Sequence, residues 1–101
     1  MKASRSGVVL PSLHEIEAAE GRIREYIPQT PLENCKGVST LLGRDAYLKL
    51  ETFQPIRVFK IRGALNKLLC LGDTELRRGV VTASSGNHGY AIAYASRMFG
   101  V

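Results

Sequence analysis

The run Val80-Val81-Thr82-Ala83, followed at once by Ser84-Ser85-Gly86-Asn87-His88-Gly89 and then by Tyr90 to Phe99, decides the fold class of this chain. Four consecutive small β-formers are the pattern of a strand buried in a parallel sheet. The polar hexapeptide is a tight turn. After it, helical spacing resumes with small residues at Ala91, Ala93 and Ala95. Upstream, a helix is predicted from Phe59 or Lys60 to Leu71, where Ile61, Ala64, Leu65, Leu68 and Leu69 share one face and Gly72 closes it. Asp73-Thr74-Glu75 begins a short helical turn ending at Gly79. Tyr47 to Glu51 alternates apolar and polar positions, which predicts a strand. Strand, helix, strand, helix in succession implies an α/β fold with a parallel sheet.

Further out, Leu13, Ile16, Ala19, Ile23 and Tyr26 or Ile27 recur at helical steps, so Pro11 to Tyr26 is read as a helix, with Ser12 and Glu15 as its capping-box pair. Pro28 breaks it. Thr30-Pro31-Leu32 is extended, because the residue before a proline is pushed out of the helical region. Val38 to Leu42 has room for a short helix before Gly43, and Thr52 to Val58 is a loop containing Pro55. The last residues, Arg97-Met98-Phe99-Gly100-Val101, read as a helix end, a Gly cap and the first residue of a further strand. Residues 1–101 are therefore expected to be the N-terminal portion of a truncated larger domain.

Composition narrows the class. At 101 residues, 45% hydrophobic and 23% charged, the chain is in the range of an ordinary globular domain. A chain of this length buries about 60–65% of its unfolded surface, which leaves little margin for missing elements. The net charge of +5, from 14 Lys and Arg against 9 Asp and Glu, is spread along the chain without the aromatic interleaving of a base-stacking surface, so no nucleic-acid partner is expected. No apolar stretch approaches the ~20 residues of a membrane span. The start carries Lys2 and Arg5 but only Val8-Val9-Leu10 as an apolar run, too short for a signal peptide core, and a cytoplasmic location is expected. Cys35 and Cys70 lack metal-ligand spacing and suggest no disulfide framework; Cys70, on the apolar face of its helix, is expected to be a buried thiol. No metal site is expected.

Two places can carry chemistry. The turn Ser84 to Gly89, leading from a strand into a helix, gathers hydroxyls, an amide side chain and backbone N–H groups at a helix N-terminus, which makes an anion-binding site. Its plain alternative is a capped helix start with Ser84 or Ser85 as N-cap. The turn lacks the lysine of a phosphate-binding P-loop, the spacing of a dinucleotide fingerprint and the flanking glycines of a nucleophile elbow. A Ser–His hydrolase with His88 is disfavoured, since adjacent turn residues rarely face each other and no acid partner is specified. The second place is Lys60, at the start of a helix. A helix N-terminus disfavours positive charge, and a neutral amine is what condensation with an aldehyde cofactor needs; taken alone, though, Lys60 reads as a solvated surface lysine.

Taken together, Glu51-Thr52-Phe53-Gln54-Pro55-Ile56-Arg57-Val58-Phe59-Lys60-Ile61-Arg62-Gly63-Ala64 and Ala83-Ser84-Ser85-Gly86-Asn87-His88-Gly89 resemble the serine/threonine dehydratases of the fold-type II pyridoxal 5'-phosphate (PLP) enzymes, whose relatives include serine racemases. The resemblance runs from Thr30-Pro31-Leu32 to the last residue. It implies a tryptophan synthase β-like fold, an amino-acid substrate and a homo-oligomeric parent protein. It further implies that Lys60 links covalently to PLP and serves as acid/base, that Phe59 lies against the cofactor ring, and that Asn87 donates to the ring oxygen. Ser84, Ser85, Gly86, Asn87 and His88 would clamp the substrate carboxylate, and Ser85 matches the second acid/base of racemase-like members or serves only as another carboxylate donor. The implied reaction is deamination of L-serine or L-threonine to a 2-oxo acid and ammonia, with racemisation or amino-acid sensing without catalysis as alternatives. Arg57 and Val58 stand where the resembled family commonly has Gly-Ser. The family's glycine-rich phosphate loop is supplied from farther along the chain than these residues reach, so PLP binding by residues 1–101 alone is expected to be poor.

Overall fold

A computed structural model describes residues 7–101. The expectations attached to Lys2 and Arg5 lie outside them. In chain order the elements are α1 (Leu13–Ile23), β1 (Leu32–Asn34), α2 (Lys36–Leu42), β2 (Tyr47–Lys49), a 3₁₀ turn (Glu51–Phe53), α3 (Lys60–Leu69), α4 (Asp73–Arg78) and α5 (Asn87–Phe99).

Local signals set most of these boundaries. Ser12 caps α1: its hydroxyl accepts from the Glu15 N–H while the Glu15 carboxylate accepts from the Ser12 N–H at 2.6 Å. Gly43 ends α2 in the left-handed conformation at φ 64°, and Gly100 ends α5 the same way at φ 68°. β1 and β2 pair antiparallel with Leu32 opposite Lys49 and Asn34 opposite Tyr47. Bonds from Cys35 N–H to Ala46 O and from Leu50 N–H to Pro31 O bracket that ladder.

The core is the apolar face of α3. Ile61, Ala64, Leu65 and Leu68 are buried against Ala91 and Ala95 of α5, whose short side chains let the two helix backbones approach closely. α1 also packs on α3 and contributes Ile23, with Ile27 just beyond it. Tyr26 and Phe99 meet edge to face, ring centroids 5.2 Å apart, and tie the segment after α1 to the end of α5.

Several expectations are corrected. Val80–Ala83 has no ladder: the only strand pairing among the described residues is the antiparallel β1–β2 pair, and Val81 is 100% exposed. A strand exists only when a neighbour takes its backbone hydrogen bonds, and the described chain offers this run none. The predicted strand at Tyr47 to Glu51 stops at Lys49, because Glu51 opens the 3₁₀ turn. Leu13 and Ile16 of α1 stay exposed at 71% and 54%, so only the C-terminal end of that helix's apolar face finds the core. Gly72 does not close α3. Cys70 is the helix's C-cap, and Gly72 instead begins α4, its N–H donating to the Glu75 carboxylate at 2.8 Å. Cys70 is exposed as well as unpaired, since the buried face of α3 ends at Leu68 and the residue two positions on points elsewhere. No helix among the described residues is long and apolar enough to cross a membrane, and no cluster of His, Cys, Asp and Glu there could hold a metal ion.

Candidate active site

The two sequence-predicted sites begin two helices that pack against each other: Lys60 is the first residue of α3 and Asn87 the first of α5. Lys60 is exposed, and its ammonium lies over the Phe59 ring, 5.2 Å from the centroid. Phe59 is itself exposed and occupies the N-cap of α3, where no side chain caps the helix. Immediately beyond, Ile61 is fully buried. The first turn of α3 is thus anchored in the core while its leading amine stays accessible.

The turn before α5 is built as an open cradle. The N-cap is Gly86 and no side chain caps α5, so neither Ser84 nor Ser85 plays the capping part that was the plain alternative. Ser84 Oγ accepts from the Gly86 N–H at 3.2 Å, which tightens the turn. Tyr90 N–H reaches Gly86 O at 3.0 Å, and the amides of Asn87, His88 and Gly89 precede that first helical bond without a backbone partner among the described residues. Ser84, Ser85, Gly86, Asn87 and His88 are all exposed. Gly89 passes so close that a Cβ there would lie 3.3 Å from Ser84 Cβ, so a larger residue fits only if Ser84 gives by a few tenths of an ångström. An anion has unpaired amides and hydroxyls to bind here. No hydrogen bond joins Lys60 to this turn among the described residues; the α3–α5 packing is what relates them.

A polar cluster that sequence reading missed stands behind Lys60. The Glu51 carboxylate accepts from Arg62 Nε (2.9 Å) and Nη2 (2.8 Å), from Thr30 Oγ1 (2.6 Å) and from Gln54 Nε2 (3.1 Å). Thr30 and Gln54 are almost fully buried. The Arg62 hydrogen bonds, with smaller help from Thr30 and Gln54, outweigh desolvation and hold the Glu51 carboxyl down at about 2. Lys49 Nζ donates to Thr30 O at 2.6 Å and extends the cluster to β2. The only signals in the sequence were Arg62, one of three basic residues on an amphipathic helix, and Glu51 before a loop, and spacing alone could not pair them. A cavity of about 620 Å³ borders the cluster at Lys49, Arg62, Ile23 and Ile27, but neither Lys60 nor the Ser84–Gly89 turn lines it.

The start of α3 thus presents a primary amine beside an aromatic ring, a group able to condense with an aldehyde, and the start of α5 presents an amide side chain and unpaired N–H groups, which suit an anion. Residues 23–101 match the family described as pyridoxal-phosphate dependent enzyme. The chain belongs to this family and carries part of its fold-type II α/β architecture. It is 40% identical over 89 residues to the serine racemase of Oryza sativa subsp. indica, covering 88% of this chain and 26% of that protein. It is 44% identical over 87 residues to the biosynthetic L-threonine dehydratase of Mycobacterium tuberculosis (strain ATCC 25618 / H37Rv), covering 86% of this chain and 20% of that one. The solved structure of maize serine racemase superposes with a TM-score of 0.82 at 36% identity, over 92% of this chain and 29% of the other. The chain therefore spans about a quarter of the length of these relatives.

Proposed function

We propose that the protein uses PLP to deaminate L-serine or L-threonine, with Lys60 as the cofactor-bound lysine. The observation that carries this reading is the position of Lys60 and Asn87 at the starts of two helices packed on one another, in a chain of the PLP-dependent family. When bound, PLP supplies an electron sink that acidifies the substrate Cα–H. Lys60 Nζ takes that proton, as a positioned general base. The Ser84–His88 turn would hold the substrate carboxylate through its hydroxyls and amides, and Asn87 and Phe59 would hold the cofactor, the one through its side-chain amide and the other through its aromatic ring. The β-hydroxyl leaves as water, and hydrolysis yields the 2-oxo acid and ammonia.

Racemisation is the second reading, favoured by Ser85. Its exposed hydroxyl is free of any capping bond to α5 and suits a second acid/base on the opposite substrate face. The serine racemase and threonine dehydratase relatives are of comparable identity, so both products belong in one assay.

The test is made on the full-length protein loaded with PLP. Borohydride reduction followed by peptide mapping places the cofactor on Lys60, and Lys60→Ala abolishes the visible absorbance of the linked cofactor. Release of 2-oxo acid from L-serine identifies the deaminase, and appearance of D-serine the racemase. Cofactor trapped on a different lysine, or undiminished absorbance in Lys60→Ala, overturns the assignment of Lys60. A linked cofactor with neither product leaves an amino-acid sensor in place of an enzyme.

A further inference from the structure

We infer that Glu51 is a positioning residue for Lys60, acting through Arg62 to fix the first turn of α3 and so the place where the amine is presented. The inference rests on the reading of Lys60 above.

The first turn of α3 has Ile61 in the core but no cap to hold its leading end. Its N-cap carries no side-chain hydrogen bond, and the preceding residues include Arg57 at φ 63°, so the backbone enters the helix from a strained turn without a cap. Uncapped helix starts fray, because their leading N–H groups have no partner within the helix. Three successive residues here have three different fates: Lys60 is exposed, Ile61 is fully buried, and Arg62 is tied by two hydrogen bonds to Glu51. A side chain held at two points and a neighbour sunk in the core leave the turn one azimuth about the helix axis. The anchor is itself braced. Glu51 also takes bonds from Thr30 and Gln54, which belong to two separate segments, and Thr30 Oγ1 lies 3.3 Å from Arg62 Nη2. Gln54 is buried with its Oε1 unpartnered, a penalty accepted where its amide can serve the carboxylate.

The experiment is made on the full-length PLP-bound protein with Glu51→Gln, which keeps the side chain's shape and removes its charge. Hydrogen exchange of residues 59–64 is expected to quicken while that of α5 stays unchanged. Borohydride trapping of Lys60 is expected to slow, and kcat to fall by about 10- to 100-fold, the scale of a slightly misplaced catalytic group, with KM moving less than kcat. Glu51→Asp, which restores the charge, is expected to recover part of each loss. Native exchange and trapping in Glu51→Gln overturn the inference, as does a variant that loosens α3 and α5 equally. If Glu51→Gln does not fold, Arg62→Lys carries the same test, since it keeps the charge and gives up the two-point hold. Lys60→Ala run alongside separates the two failures: trapping that survives it sinks the assignment of Lys60, whereas trapping lost there but native in Glu51→Gln sinks only the role of Glu51.

Discussion

Arg57 sits at φ 63°, a conformation that costs an L-residue about 1–2 kcal/mol because Cβ crowds the following carbonyl. Its amide closes a turn onto Gln54 O at 2.8 Å, and its guanidinium reaches Thr52 O at 3.3 Å. Glycine at this place would escape that crowding, a preference that becomes visible only once the dihedral is known. Arg57→Gly is expected to raise stability by about 0.5–1 kcal/mol in chemical denaturation, since relief of the left-handed strain exceeds the added freedom of glycine in the unfolded chain. Val58, where the resembled sequences commonly carry serine, is half-buried and packs against the core, so an apolar side chain is at home there. Neither fact could be read from residue identities, because both depend on backbone direction through the loop.

At the scale of elements, helices were more legible than strands. The three-and-four spacing of Ile61, Ala64, Leu65 and Leu68 predicted the buried face of α3, though Leu69 is only partly buried and Cys70 is exposed. The Ser12–Glu15 pair and Gly43 likewise marked boundaries that the structure keeps. These signals are local, closed within one turn of backbone. Val80–Ala83 carried a strand signal just as plain and forms no ladder, since pairing depends on a neighbour that the sequence cannot specify. The hold of α3 on the molecule gives a direct test. Leu65 is fully buried at the α3–α5 contact, so Leu65→Ala is expected to cost about 2–5 kcal/mol through lost burial and a residual cavity, read as a lower denaturation midpoint. Because Lys60 and Asn87 are related through this same contact, the variant is also expected to weaken PLP retention.

Over the whole molecule, the core is narrow and the outline open. The radius of gyration is 16.7 Å, against about 13 Å for a self-contained domain of this length. Exposed Leu41, Tyr47 and Val81 fit that picture. With so little burial, the polar cluster around Glu51 carries an appreciable share of what joins the β1–β2 pair to α3. Its carboxyl is held at about 2, below the ordinary 4.5, chiefly by Arg62. A depressed carboxylate stabilises the fold fully above its unfolded value and loses that contribution as pH falls through the folded one. Stability is therefore expected to drop between about pH 4.5 and 2, and Glu51→Gln to flatten that part of a melting-temperature profile. Glu15, lowered by the Ser12 N–H, acts in the same direction, so some slope is expected to persist.

By itself the sequence determined most of the helices, the caps at Ser12, Gly43 and Gly100, the family it resembles, and Lys60 and the Ser84–Gly89 turn as the candidate places for chemistry; that α5 begins at Asn87 rather than Tyr90 came from the structure. These are properties of neighbouring residues, whose spacing and side-chain chemistry act within a turn or a loop. Only the tertiary structure decided that the serines leave α5 uncapped, that Glu51 grips Arg62, that Arg57 is left-handed and that Val80–Ala83 goes unpaired. Each of those depends on the path of the backbone or on which distant groups come within hydrogen-bond reach, and a hydrogen bond has no strength until its two ends meet.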